Sequence, residues 1–485
     1  MITPGMEKPA PASQPSAQPE SNAYVVRIAV IAALGGLLFG YDWVVIGGAR
    51  QFYEQYFHLS SAALVGWANS CALVGCLMGS IAAGSLAFRY GRRRVLLLSA
   101  ILFAVSSGLT GWAQSFTQFI VWRIAGGIAI GLSSNVSPLY IAEVSPAGVR
   151  GRLVSLNQFA IVVGILMAQV VNWLIARPVA PELPAAAAFA SWNVQYGWRW
   201  MFTAVIAPSL VFTLASLFLP ESPRWLLMRN REREARDVLE RVGGRAYAQA
   251  EVGAIEQALR LDDSSRSSLR ELLAPAIRRM LLIGIALAAL QQWTGINVIF
   301  NYAGEVYRNA GHGAGDIFLD IIVTGIINLV FTILAMALVD RVGRRPLMIF
   351  GCLGIAAAHL LCALAYRAGW STGTVLTLTL SAIACYALTL APVTWVLIAE
   401  IFPNRVRSQA ISVCVGALWT ASFLLTYSFP TLNKVFGTGG AFLTYGLICV
   451  AGCVLCAAFV PETKGRSLEQ IEIESATARS SATLS

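Results

Sequence analysis

The hydrophobic positions of this chain come in long unbroken blocks rather than in stripes. Twelve mostly apolar runs fall near 26–48, 63–87, 95–113, 118–140, 153–175, 199–219, 278–302, 316–339, 346–366, 372–399, 408–428 and 439–460. About 20 apolar residues carry a helix across a bilayer, so each run predicts one membrane-spanning helix. The polar segments between them are short, except Glu221–Ala276, which is rich in Arg and Glu. Within it, 229–242 and 246–260 combine helix-favouring residues with periodic Leu, Val and Ile, which predicts short amphipathic helices. Residues 1–22 are rich in Pro, Ala, Ser and Gln and predict a disordered tail. The first run is too long for a cleaved signal peptide and lacks a small-x-small cleavage site.

Composition agrees: 57% of residues are hydrophobic and 12% charged, against about 25% charged in soluble domains. The net charge of +10 would suggest nucleic acid in a soluble protein, but its distribution argues otherwise. With the N-terminus inside and alternating crossings, the segments 89–94, 145–152, 220–277, 340–346 and 401–407 and both tails lie inside and hold most Lys and Arg. Only Arg50, Arg177, Arg199, Arg308, Arg367 and Lys434 fall outside. This is the positive-inside pattern; it predicts cytoplasmic termini and a bilayer, not nucleic acid, as partner. The nine cysteines lie nearly all in apolar runs, and the Cys453/Cys456 pair reads as packing. His58, His312 and His359 are scattered. No metal site, cofactor or catalytic cluster is expected, and without a phosphate-binding GxxxxGK[ST] loop ATP drive is not expected either.

Three marks occur twice in the same order. RYGRRR (89–94) is echoed by RVGRRP (341–346), AEVSPAGVR (142–150) by AEIFPNRVR (399–407), and Pro220-Glu221 by Pro461-Glu462. Three echoes in register predict two six-helix halves arising by duplication: 23–220 and 277–470, joined by a cytoplasmic helical linker 221–276 and followed by a tail 471–485.

Inside the first run stands one carboxylate, Asp42, in GGLLFGYDWVVIGGA. A charge at that depth costs about 2.5–3.5 kcal/mol on insertion scales, which marks it as a candidate ion-coupling residue. Arg123, read as the one basic residue well inside a run, is its candidate partner. A pair that forms in one conformation and breaks in another would link protonation to reorientation; a static pin between the two helices is the alternative. Uncharged polar residues in the runs are also informative: Gln158, Gln291, Gln292, Asn297 and Asn328, with Trp395 and Trp419. Groups that both donate and accept, beside aromatic faces, suit a site for a small polar ligand. On an unbroken helix Gln292 and Asn297 would diverge by about 140°. Gly295 between them predicts a local break that lets both face one ligand; otherwise such amides only hold helices together.

The motifs GGLLFGYD (35–42), RYGRRR, YIAEVSPAGVRG (140–151), PESPRWL (220–226), QQWTGINVIFNY (291–302), VDRVGRRPL (339–347), WVLIAEIFPNRVR (395–407) and PETKGRSLE (461–469) resemble the sugar porter family of the major facilitator superfamily. The resemblance covers about residues 25 to 470. It implies an all-α membrane protein of twelve transmembrane helices, working as a monomer by rocking alternating access. It carries sugar contact onto Gln158, Gln291, Gln292, Asn297, Asn328 and Trp395, with Phe39, Tyr302 and Trp419 lining the cavity. Asp42 matches the family's proton-coupling aspartate, where facilitative members carry Asn. The expected function is proton-coupled import of a pentose or hexose across a bacterial inner membrane, with a sugar or inositol uniporter as alternative. A transporter-like sensor is disfavoured by the short tail after Pro461. Ile165 and Leu418 replace glutamines of a proton-coupled pentose porter, Asn301 replaces the first of a Tyr-Tyr pair, and Val205 replaces an acid, leaving Asp42 to work alone. The resemblance also implies an inner gate of crossed charges. In it Arg89, Arg92 and Arg93 face Glu400, and Arg341, Arg344 and Arg345 face Glu143. Arg150, Arg407, Glu221 and Glu462 stand close by. Phe88 departs from the acid that many members carry before the first Arg, whereas Asp340 retains it.

Overall fold

The computed structural model describes residues 21–177, 185–264, 269–311, 317–403 and 406–462. The expected disordered tail 1–22 lies outside these residues, except that Ser21 and Asn22 already belong to the first helix, and the tail 471–485 lies outside them too. His312 also lies outside them.

The first half comprises α1 (Ser21–Tyr56), α2 (Ala62–Tyr90), α3 (Arg92–Gly111), α4 (Phe116–Val144), α5 (Ala147–Ile175) and α6 (Ala187–Ser216). The linker carries α7 (Pro223–Met228) and α8 (Glu232–Ser264). In the second half the seventh span is split into α9 (Pro275–Trp293), α10 (Ile296–Asn301) and α11 (Ala303–Asn309). There follow α12 (Ile317–Val342), α13 (Arg344–Ala368), α14 (Thr372–Leu388), α15 (Leu390–Glu400) and α16 (Arg407–Phe459). α14 and α15 together make the tenth span, Thr372–Glu400. α16 is 53 residues long, roughly 80 Å at 1.5 Å per residue and far beyond one bilayer crossing of about 30 Å. Gly437, with φ 70° and ψ 170°, breaks it into two spans. The fold is therefore twelve membrane-spanning helices in two six-helix halves.

Small residues set the helix spacing, as membrane interfaces require. A Cβ on Gly40 of α1 would lie 1.9 Å from the Ile161 carbonyl of α5, and one on Gly164 would lie 2.0 Å from the Leu37 carbonyl. α2 and α4 approach in the same way through Gly75 and Gly127. The halves touch each other at the end opposite the arginine motifs. There Gly47 of α1 abuts the Phe300 carbonyl of α10, and Gly66 of α2 abuts the Tyr427 carbonyl of α16.

Two helices differ from expectation. α1 continues past residue 48 to Tyr56 and so carries Arg50 and Glu54, whose charges are tolerated because they pair at 2.5 Å. α6 begins at Ala187 rather than 199 and contains a π-turn at Asn193–Gly197. That brings Arg199, expected outside, into the helix and 4% exposed, so Arg123 is not the one buried basic residue. Its Nη1 donates to the carbonyls of Gly111 (3.0 Å) and Ala113 (2.8 Å) at the end of α3. Orphan C-terminal carbonyls are thereby met by a guanidinium that the end of a helix favours.

The linker is helical as the pattern predicts, with Gly244 (φ 82°) dividing α8. Trp225, Leu226, Leu227, Ala235, Leu239, Ala248 and Val252 form a core of its own. Burial against it pushes the Tyr247 hydroxyl up to about 12. Trp225 Nε1 donates to the Phe88 carbonyl at 2.9 Å, and Arg229 Nη2 to the Arg89 carbonyl at 2.9 Å, fixing this core to the end of α2.

Candidate functional site

Asp42 lies at mid-helix in α1 and is 1% exposed; Arg123 on α4 is 3% exposed. Arg123 Nη1 alone serves both carboxylate oxygens, at 3.0 and 2.9 Å. This is a looser arrangement than a two-nitrogen fork. The guanidinium also lies 5.3 Å from the centre of the Phe202 ring on α6. Val205 is fully buried, so α6 offers no acid at that position.

The amides of the seventh span converge as the glycine break predicts. Gly295 takes the left-handed conformation (φ 82°, ψ −6°), ending α9 and starting α10. Asn297 Nδ2 donates to Gln292 Oε1 at 2.6 Å, Gln292 Nε2 to Gln291 Oε1 at 3.0 Å, and Gln291 Nε2 to the Ala391 carbonyl at 3.3 Å. The relay ends on α15, where Trp395 stands one turn from Ala391 and is 40% exposed. His359 Nε2 lies 2.8 Å from the Thr294 carbonyl and steadies the break, which is a structural role. Gln158 on α5 is half-buried and Asn328 on α12 is 5% exposed; among the described residues neither has a hydrogen-bond partner.

Phe39, Trp43 and Trp419 form a triangle with centroids 5.9–6.0 Å apart, joining α1 to α16. Trp43 was not among the expected cavity residues. Its signals in the sequence are adjacency to Asp42 and one-turn spacing from Phe39. Tyr302 lies at the end opposite the arginine motifs. Its hydroxyl donates to the Thr426 carbonyl (2.7 Å) and its ring packs on Phe429 and beneath Arg50, 4.3 Å away. There Arg50 also pairs with Glu305 at 2.6 Å, and Arg308 donates to Gln51. These charges line a separate cavity of about 300 Å³.

At the arginine end the ion pairs formed in this conformation run within each half rather than across the halves. Arg92 pairs with Glu143 through Nε (2.8 Å) and Nη2 (2.7 Å), both within the first half. Arg344 pairs with Glu400 at 3.1 Å, both within the second. Glu221 and Glu462 serve as matching caps: Glu221 Oε1 accepts from the backbone N–H of Arg92 (2.8 Å) and Arg93 (3.2 Å). The two Glu462 oxygens accept from those of Arg344 (3.0 Å) and Arg345 (3.2 Å). Adjacent Gly91 and Gly343 have φ of 95° and 108°. Acids at these helix N-termini meet orphan donors and the positive end of the dipole, and that local demand draws each acid to its own half. Arg93 Nη2 donates to the Leu217 carbonyl (2.6 Å), Arg345 Nη2 to Ala457, and Arg407 Nε to Phe402 (3.2 Å). Arg89, Arg150 and Arg341 are exposed.

Residues 28–474 match the family described as "Sugar (and other) transporter". The chain belongs to this sugar transporter family. It is similar to the D-xylose-proton symporter of Escherichia coli (strain K12), with 37% identity over 93% of this chain and 96% of that one. It is also similar to the glucose facilitated diffusion protein of Zymomonas mobilis, with 36% identity over 93% and 98% respectively. The partially occluded inward open conformation of the xylose transporter XylE from E. coli superposes with a TM-score of 0.81. That match has 35% identity and covers 92% of this chain and all of the other. The protein is thus a multi-pass membrane transporter, not an enzyme, and the sugar transporter's two halves meet at the end opposite its arginine motifs.

Proposed function

We propose that this transporter moves a monosaccharide together with a proton by alternating access, as a monomer in a bacterial inner membrane. Both termini and the arginine motifs lie in the cytoplasm, so the closed end is the outer one. The observation that carries the reading is the buried Asp42–Arg123 pair, with Asp42 adjacent in sequence to Trp43 of the Phe39–Trp43–Trp419 triangle. Protonating Asp42 leaves Arg123 a buried charge without its counter-ion, which is strongly unfavourable in this packing. Protonated Asp42 releases Arg123 Nη1, and the freed guanidinium favours a different packing of α1 against α4. Sugar hydroxyls bind the amides of Gln158, Gln291, Gln292, Asn297 and Asn328, and the ring stacks on the aromatic faces near Trp395. Substrate and proton therefore bias the same reorientation, which is coupling in the thermodynamic sense.

Relatives of nearly equal identity include a symporter and a facilitator, so coupling rests on the carboxylate rather than on overall likeness. The test is Asp42→Asn in proteoliposomes, assayed with xylose first and then arabinose, glucose, galactose and inositol. The expected result is loss of accumulation driven by a pH gradient with counterflow retained. A variant that still concentrates sugar against its gradient would sink the coupling, and parent protein that takes up sugar without proton movement would leave a uniporter.

A further inference from the structure

Arg123 has a second side. Nη1 is committed to Asp42, but Nε is buried and has no hydrogen-bond partner among the described residues. Two more buried polar atoms share that condition, Asn69 Oδ1 on α2 and Asn301 Oδ1 at the end of α10, on residues each 4% exposed. Asn69 is oriented by its own Nδ2, which donates to the Val65 carbonyl at 2.9 Å and so turns Oδ1 the other way. Arg123, Asn69 and Asn301 line one cavity, with Trp43 on its wall, of about 10 Å³. That is the lower limit for holding one water molecule. Two carbonyl oxygens cannot satisfy each other, and Arg123 Nε–H is an unpartnered donor on a residue lining the same cavity. One donor and two acceptors are the complement of a water, whose oxygen accepts from Nε–H and whose hydrogens go to the two amide oxygens.

The three groups come from both halves. Asn69 and Arg123 belong to the first, Asn301 to the second, next to the Phe300 carbonyl that seats on Gly47. The site is therefore assembled only when the outer end is shut. We propose that Asn69, Asn301 and Arg123 Nε bind a single water between the halves, and that this water ties closure of the outer end to the Asp42–Arg123 pair. The water site stands on geometry alone; its consequence for transport rests on the reading of Asp42 as the proton site. The other titratable groups facing the pair are Tyr53 on α1 and Cys71 and Cys76 on α2.

The test uses full-length protein in nanodiscs, with unnatural-amino-acid spin labels at Ser60 and Phe436, both exposed beside the outer end. Pulsed distance measurements give the ratio of outer-open to outer-closed molecules across pH. Asn301→Leu and Asn69→Leu are each expected to raise that ratio about five-fold, the weight of one net hydrogen bond. The double variant should go no further than either single, because both remove the same water. Asn301→Ser, whose hydroxyl can accept the same hydrogen, should restore most of the closed population. Additive effects, or a response to Asn301→Leu without one to Asn69→Leu, would overturn the site. A pH response unchanged in both leucine variants would overturn the tie to the Asp42 pair. Xylose counterflow by the parent protein checks the transport reading separately and can fail without altering the distance result.

Discussion

An alanine at position 295 would have to hold φ near 82° and would place its Cβ 2.6 Å from the Tyr445 ring. Left-handed backbone costs a non-glycine residue roughly 1–2 kcal/mol before any clash. Gly295→Ala is therefore expected to weaken sugar binding about ten-fold or more, by swinging Asn297 away from Gln292. Gly84→Ala, whose Cβ would meet nothing within 4 Å, serves as the neutral control in the same counterflow titration. At this scale much was readable from sequence. Asp42, Arg123 and the amides stand out because charges and amides are rare in apolar runs, and Gly295 is the one residue that lets Gln292 and Asn297 meet. Trp43 was less legible: it stands beside Asp42, but an aromatic residue in an apolar run looks the same whether it packs in the core, meets lipid or walls a cavity.

The elements at the arginine end repeat one device twice. A positive-φ glycine ends the preceding helix, two arginine N–H groups open the next, and a glutamate just after the last span of the same half accepts from both. The motif pairs were legible, and so was the duplication. Their partners were not, since linear order does not say which acid reaches which arginine. The first copy is the tighter: Arg92 and Glu143 side chains are 9% and 7% exposed, whereas Arg344 and Glu400 are 13% and 33% exposed. Arg92→Ala is expected to cost about 3–5 kcal/mol of stability, the usual penalty for leaving a buried charge unpaired, and Arg344→Ala clearly less. Thermal unfolding of the two variants in one detergent would give the order. Restoration of Arg92→Glu by Glu143→Arg, and not by Glu400→Arg, would distinguish pairing within a half from pairing across halves.

For the whole molecule the decisive contact between halves is at the end opposite the arginine motifs, where α1 runs on to Tyr56 and meets α10 and α11. Counting Lys and Arg by loop gave the orientation expected here but treated Arg50 and Arg308 as isolated exceptions. In the fold they are the parts of the second half's closure onto the first, Arg50 with Glu305 and Arg308 with Gln51. Arg50→Glu is expected to shift the outer end toward open by about ten-fold or more through like-charge repulsion with Glu54 and Glu305. Glu305→Arg added to it should recover most of the closed population, read by the same label pair; no recovery would mean that the ion pair is incidental to closure.

The placement of Glu221 has a consequence for how the chain is made. The cap of α3 and the acid beside Arg92 both come from the first 221 residues, as do Asp42 and Arg123. The last piece to leave the ribosome for that half is Glu221 itself, followed at once by Trp225, which locks onto the end of α2. Because domains fold as units, amino-terminal first, during synthesis, the first half can finish its charge pairing and seal its arginine end before the seventh span exists. The second half then assembles against a finished template, and its own cap, Glu462, arrives only after the twelfth span has crossed.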